Sequence, residues 1–372
     1  MPITKAYFTK YFFSPIALLI AIIYLVSCFT QFINPSFGSV FTLLSLGYIV
    51  LFILMLLIVL CSAFIEYRFF IVSLIVLLVG WSNFSTTFSF KLNSRTLDSN
   101  LSTIKVLSWN VNNFSSLVGS EKRDTGVKFA MYRFIKETNA DILCIQDNAF
   151  AIDEKEKFNE VKELEKLGFK YHVLSNDFRP VNSIRQYGTG IFSKYPIAGF
   201  QKVNYKGHYY ESLLYANVIV NKEILRVFTT HLRSMVLHDA NFYPEEDYTM
   251  VQDDTAAIFD KSLIRKLSYF DIKHAEQANT AKQVMDTTRI PYIFCADLNS
   301  VPSSYVYHHL AKGLKDVFLE KGFGIGQSYC GLTRTLRIDV ILSTPNIKTL
   351  SYECPKLPLS DHYPIVTTLQ LP

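Results

Sequence analysis

Three apolar runs, at residues 12–33, 40–64 and 69–84, dominate the start of the chain, and only Glu66 and Arg68 put charge within or between them. About 20 uncharged apolar residues are enough for a helix to cross the hydrocarbon core of a bilayer. A helix that is apolar all round cannot be half-solvated, so these runs are expected in a membrane rather than in a soluble bundle. The first run is too long, and too closely followed by two more, to be a cleaved signal peptide. The third is shorter and closes on Gly80-Trp81-Ser82-Asn83. The expectation is a transmembrane region over residues 1–84, with spans near 12–33, 40–64 and 69–84.

Lysine and arginine orient such a bundle. Lys5, Lys10 and the α-amine precede the first span, while Lys91 and Arg95 follow the third. That excess favours a cytoplasmic amino terminus. Three spans then place the rest of the chain outside the cytoplasm, as in a multi-pass membrane protein.

Residues 85–102 are rich in Ser, Thr and Asn and read as a linker. Beyond them the composition becomes that of an ordinary globular domain, residues 103–372. Short apolar strands are expected at 105–109, 141–145, 171–174, 189–192, 213–220, 224–229, 292–296, 338–342 and 365–369. Helices are expected at 129–137, 153–167 and 253–285. This mixture predicts a layered α/β sandwich. The chain carries +5 overall; residues 1–99 hold five Lys/Arg against two acids, which leaves +2 for residues 100–372. That is not the footprint of a strongly nucleic-acid-binding domain, although Lys261, Arg265, Lys266 and Lys273 could form a local basic patch.

The cysteines form no metal-binding spacing such as Cys-x-x-Cys. Cys28 and Cys61 lie in apolar runs, and Cys144 and Cys295 lie in strands as small hydrophobes. Only Cys330 and Cys354 could pair, which the sequence leaves open.

Chemistry gathers at the strand ends. One strand ends in Asn110, with Asn112 following; another ends in Gln146-Asp147; a third ends in His231. The apolar run 292–296 ends in Asp297-Leu298-Asn299, where side chains two apart on a strand share a face. Asp339 lies in an apolar strand, and Ser360-Asp361-His362 precedes the last one. Each alone has a structural explanation, such as a cap, a turn or a paired acid. Together they place amides, carboxylates and imidazoles where α/β proteins bind ligands.

Ser108-Trp109-Asn110-Val111-Asn112, Ile145-Gln146-Asp147, Thr230-His231-Leu232, Asp297-Leu298-Asn299, Arg337-Ile338-Asp339 and Ser360-Asp361-His362 follow the order of motifs in the endonuclease/exonuclease/phosphatase superfamily. The segment Gly188-Thr189-Gly190-Ile191-Phe192-Ser193-Lys194-Tyr195-Pro196-Ile197 resembles that family too. The resemblance covers about residues 103–372, and the layout with spans first is similar to bacterial membrane-anchored members. It implies a four-layer sandwich of two mixed β-sheets with outer helices, and metal-assisted hydrolysis of a phosphate ester with Mg²⁺, or Mn²⁺, as cofactor.

By that resemblance Asp147 takes the place of a metal-binding Glu, with Asn110 and Asp361 completing the metal site. Asp297 would orient and deprotonate the attacking water, and Asn299 would hold the phosphate. His362 would stabilise charge on the phosphoryl oxygens, with Asp339 holding its imidazole. His231 would contact the phosphate or leaving group. Two positions depart from the pattern: Asp147 is shorter than the usual Glu, and Asn112 stands where the abasic-site endonuclease branch has Asp. No clear equivalent of that branch's substrate-facing tyrosine is present, although Tyr187 is near. The expected function is a membrane-anchored, divalent-metal-dependent phosphoesterase acting on a lipid headgroup or small molecule, with the bilayer as partner. A nuclease, and a catalytically inactive binding domain, are the alternatives; the survival of Asp297, Asn299, Asp339, Asp361 and His362 speaks against decay.

Overall fold

The computed structural model describes residues 13–91, 102–114, 125–152, 159–207, 210–235, 261–331 and 335–372. Lys5, Lys10, residues 92–101 of the expected linker, and residues 153–158 and 253–260 of the expected helices lie outside them. The described chain falls into two compact units.

One unit holds the apolar helices to Thr87, the residues of α8 (Lys261–Asp286) up to Ala275, and Val301–His308. The first run forms α1 (Ser14–Phe29) and a 3-10 turn, Thr30–Phe32. The second is not one helix: it breaks at Gly47 into α2 (Ser39–Leu46) and α3 (Tyr48–Ile65). The third breaks at Gly80 into α4 (Tyr67–Val79) and α5 (Trp81–Thr87), bent by 56°. Among the described residues two helices are therefore long and apolar enough to cross a membrane, or three if the bent pair is one span. Gly80 is needed at the bend because a Cβ there would meet the Tyr24 hydroxyl at 1.9 Å. Tyr24 stacks on Tyr48 at 6.1 Å and donates to the Leu77 carbonyl, while Tyr48 donates to that of Gly80. The outer faces stay apolar and open, with Leu18 at 62%, Val50 at 61% and Leu60 at 53% exposure.

The other unit is built on two mixed sheets. In chain order the strands are β1 (Ser89–Phe90), β2 (Thr103–Asn110), β3 (Ile142–Ala151), β4 (Tyr171–Leu174), β5 (Arg185–Ser193), β6 (Ile197–Asn204) and β7 (Ser212–Val220). They continue as β8 (Glu223–His231), β9 (Tyr292–Asp297), β10 (Lys315–Asp316), β11 (Phe323–Gly324), β12 (Asp339–Ser343), β13 (Lys348–Glu353) and β14 (Ile365–Gln370). One sheet has the order β13-β14-β2-β3-β5-β4, the second β10-β12-β9-β8-β7-β6. β1 and β11 form a separate two-stranded ribbon. Residues 85–91, read as linker, are thus the end of α5 and β1.

Alternation along the strands sets the layers. Ile104 and Val106 on β2 and Ile142 and Cys144 on β3 face Leu225 and Val227 on β8 and Ile293 and Cys295 on β9 in one core. Leu107, Trp109, Leu143 and Ile145 face the opposite way, onto α6 (Thr125–Thr138) and α7 (Glu160–Lys166), through Met131, Ile135 and Leu164. β6 and β13 carry polar residues and were not expected; the first has no buried residue and so lacks an apolar run. All six thiols are free: Cys330 donates to the Asp361 carbonyl at 3.2 Å and Cys354 to that of Gln327 at 3.4 Å.

Candidate active site

The inward positions of the core strands continue to the strand ends, and there they become polar. On β8 the series Leu225, Val227 leads to Thr229 and His231; on β9, Ile293 and Cys295 lead to Asp297; on β12, Asp339 begins the series that holds Ile341. Registry completes the row. His231 pairs with Asp297 across the parallel β8–β9 ladder, and Asp339 pairs with Asp297 across the antiparallel β9–β12 ladder. Paired residues share a face, so His231, Asp297 and Asp339 stand side by side.

The facing sheet supplies the opposite wall. Asn110 follows Val106 and Ser108 on the inward face of β2, and its Nδ2 donates to Asp297 Oδ2 at 2.8 Å. Gln146, inward on β3, donates to Ser108 Oγ at 3.2 Å and Thr229 Oγ1 at 3.0 Å, tying the two sheets together just beneath. Asp147 would face outward in a regular strand. Instead the β3–β5 ladder slips between Ile145 and Asn148, and Asp147 takes a left-handed φ of 49°. Such a bulge re-aims a side chain. Burial pushes the Asp147 carboxyl above its ordinary range; His231 and His362 oppose this, while Asp361 and Asp297 add to it.

The loop before β14 brings in the last groups. Ser360 Oγ donates to the Asn110 carbonyl at 2.9 Å, and Trp109 Nε1 donates to the His362 carbonyl at 3.0 Å. Asn112 Nδ2 donates to Asp361 Oδ1 at 3.1 Å. His362 Nδ1 lies 2.9 Å from Asp339 Oδ2, and its Nε2 lies 3.6 Å from Asp297 Oδ2. His231 Nε2 is 3.5 Å from the same oxygen, at ion-pair distance but without a hydrogen bond. Burial pulls the His362 imidazole down, but Asp339, Asp297 and Asp361 outweigh it and raise it to about 10. Burial likewise raises Asp339 against the pull of His362. The direction that geometry supports is a proton held on the ring between two carboxylates.

Seven of the eight expected residues, Asn110, Asp147, His231, Asp297, Asp339, Asp361 and His362, thus share one electrostatic neighbourhood. Asn299 is adjacent: its N–H donates to Asp297 Oδ1 at 2.9 Å and its Nδ2 to the Leu232 carbonyl at 2.8 Å. One amide N–H on Nδ2 remains for a ligand. Two groups were missed. Tyr329 lies over His362, ring centroids 4.8 Å apart, and burial, Asp361 and Asp297 push its hydroxyl up to about 12. Glu211 accepts from Gln277 at 3.2 Å and is raised by burial, with His231 and Arg233 opposing. Neither ends an apolar run, so no local signal marks them.

The donor set fits a hard divalent ion. Asp147 and Asp361 offer carboxylate oxygens and Asn110 an amide oxygen; burial first, and then the carboxylates of Asp361 and Asp297, raise Asp147, and a cation would oppose both by favouring the charged form. Among the described residues the acids and imidazole whose ligand atoms lie within 4.8 Å of one another, close enough to hold an ion, are Asp297, Asp339 and His362. Their internal His362–Asp339 hydrogen bond is a competing use of those atoms.

A family model described as Endonuclease/Exonuclease/phosphatase family matches residues 107–362. A second, described as a domain of unknown function (DUF8431), matches residues 10–87. No curated protein matches the chain. Among solved structures, an endonuclease/exonuclease/phosphatase from Beutenbergia cavernae DSM 12333 aligns with a TM-score of 0.52 at 17% identity, covering 72% of this chain and 72% of that one. The human Nocturnin catalytic domain with bound sulfate aligns at 0.51 and 15% identity, covering 73% of this chain and 96% of that one. Identities this low speak for the fold alone.

Proposed function

Since the chain belongs to the endonuclease/exonuclease/phosphatase family and is a metal-dependent phosphoric ester hydrolase, we propose that it is a membrane-anchored phosphoesterase acting on a lipid headgroup or a small-molecule phosphate ester. The observation that carries this reading is the convergence on Asp297: Asn110 at 2.8 Å, His231 at 3.5 Å and His362 at 3.6 Å all surround one carboxylate oxygen.

Asp297 orients the attacking water and takes its proton, and the Asn110 amide fixes the carboxylate for that task. Asn299 donates to a phosphate oxygen with its remaining N–H. The charged His362 stabilises negative charge developing on the phosphoryl oxygens, and Asp339 holds its tautomer and orientation. His231 faces the phosphate or the leaving group. Asp147, Asp361 and Asn110 would hold Mg²⁺ or Mn²⁺. A divalent cation bound there supplies neutralisation of the ester's charge and polarisation of its oxygens.

Two observations favour a lipid or small molecule over nucleic acid. The net charge of residues 100–372 is only +2 of the chain's +5. The basic patch on α8 is also thinner than its sequence suggests: Arg265 is exposed, Lys266 is buried and Lys273 is half-buried over the Tyr269 ring. The apolar faces of α1 and α3 support insertion in a bilayer. The slight Lys/Arg excess before the first span supports a catalytic unit outside the cytoplasm.

The test is a screen of the purified full chain against bis-p-nitrophenyl phosphate, p-nitrophenyl phosphate, phospholipids, DNA and RNA with Mg²⁺ or Mn²⁺. Turnover of phospholipid or the small esters supports the reading. Tight, steeply salt-dependent DNA binding followed by cleavage would replace it with a nuclease.

A further inference from the structure

The ribbon β1–β11 ties the chain leaving the apolar helices to the catalytic unit. Ser89 pairs with Gly324 and Phe90 with Phe323. Lys91 N–H donates to the Gly322 carbonyl at 3.1 Å, and Ser89 Oγ to that of Leu319 at 3.3 Å. The ribbon presents two aromatic rings to the outside: Phe90 is 61% exposed and Phe323 is 67% exposed, edge to face at 6.0 Å. Phe88 stacks on Phe90 at 6.5 Å, and the next residue after Phe90 is the exposed Lys91.

Position along the chain says what covers these rings. α5 ends at Thr87, three residues before Phe90. Three extended residues reach at most ~10 Å. Interfacial segments bury their apolar side chains within about 5–10 Å of the headgroup boundary, and aromatic residues with a neighbouring cation are their usual composition. If α4–α5 is inserted, Phe90 lies within about 10 Å of the end of α5, within reach of that zone, and strand pairing brings Phe323 with it although it is distant in sequence.

We propose that Phe90 and Phe323 form an aromatic foot that dips into the lipid headgroup region and holds the catalytic unit against the bilayer surface. The inference rests on the membrane reading of α4–α5 and sharpens the substrate class: the site works on phosphate esters presented at that surface.

Depth-dependent fluorescence quenching tests it in the full chain. The protein has two tryptophans, Trp81 on α5 and the buried Trp109. Wild type, Phe323→Trp and Val181→Trp would each be placed in phosphatidylcholine nanodiscs with and without brominated acyl chains. Val181 is 90% exposed on the catalytic unit and serves as the aqueous comparison. Quenching of wild-type emission reports insertion of Trp81. The expected result is that most of the emission added by Phe323→Trp is lost in brominated lipid, while that added by Val181→Trp is retained. Quenched Trp81 with unquenched Phe323→Trp overturns the foot and leaves the membrane anchor standing. Unquenched wild type overturns both.

Discussion

His362 Nδ1 lies 2.9 Å from Asp339 Oδ2, with both side chains buried. Asp339 opens β12, and Ser328 Oγ accepts the N–H groups of Ile338 and Asp339 at 3.0 Å each, so the carboxylate is fixed before the imidazole meets it. The backbone of the 328–330 segment also bonds to Asp361 and Tyr363. The pair is therefore held from both sides, and its ring Nε2 is left facing Asp297.

Asp339→Asn keeps the shape and removes the charge that favours the imidazolium. Its kcat on bis-p-nitrophenyl phosphate is expected to fall by about 10²–10⁴, the usual contribution of a positioned electrostatic or acid–base group. His362→Ala should fall similarly, and the double variant little further, because the two act as a unit. Circular dichroism should be unchanged. Wild-type rates in folded variants would take the pair out of the chemistry.

Asp147 is shorter than the Glu the family pattern leads one to expect, and the bulge at Gln146–Asp147 is the structural feature that turns it inward. If it helps hold the ion, Asp147→Ala should raise the Mg²⁺ needed for half-maximal activity by roughly 10–100-fold, as when a metal's supporting groups are removed. Asp147→Glu should preserve activity or lower the requirement. An unchanged requirement in Asp147→Ala, together with a raised one in His362→Ala, would move the ion to the Asp297, Asp339 and His362 trio.

The inner sheet strands, and the chemistry at their ends, were legible because burial on both faces writes continuous apolar runs into the sequence, and a polar residue at their end stands out. Asp297, His231 and Asp339 follow that rule. Gly47, which breaks the second apolar run, was read through because apolar composition carries no record of helix continuity, and at Gly80, read with Trp81-Ser82-Asn83 as the close of the third run, the chain bends and continues as α5. β6 and β13 were missed since edge strands need no apolar run. Arg337 looked like part of a catalytic motif. Its guanidinium instead pairs with Asp316 at 2.6 Å and lies over Phe318, a contact no local pattern encodes.

Asp271 on α8 is buried and accepts from Thr42 Oγ1 at 2.7 Å. Burial raises its carboxyl to about 6, with the Thr42 bond opposing. The folded state therefore keeps a proton that the unfolded chain releases near pH 4. Stability is fully present below that pH and is lost as pH rises through 6, by on the order of 3 kcal/mol at 1.36 per pKa unit. Asp271→Asn should accordingly gain Tm over wild type from pH 4 to pH 7 in detergent. A pH-independent difference would mean the carboxyl is not held protonated.

A carboxy-terminal alkaline phosphatase fusion should be active, and a fluorescent-protein fusion dark, if the bent pair α4–α5 is one span and the amino terminus is cytoplasmic. The opposite pattern would mean an even number of crossings or an inverted bundle.

Metal-dependent phosphoester hydrolysis centred on Asp297 is tested most directly by one rate measurement on the purified full chain with bis-p-nitrophenyl phosphate. The expected result is turnover with Mg²⁺ or Mn²⁺, loss with EDTA, recovery on adding metal back, and a fall of about 10²–10⁴ in folded Asp297→Asn. Turnover that persists in EDTA, or that Asp297→Asn leaves unchanged, would contradict it.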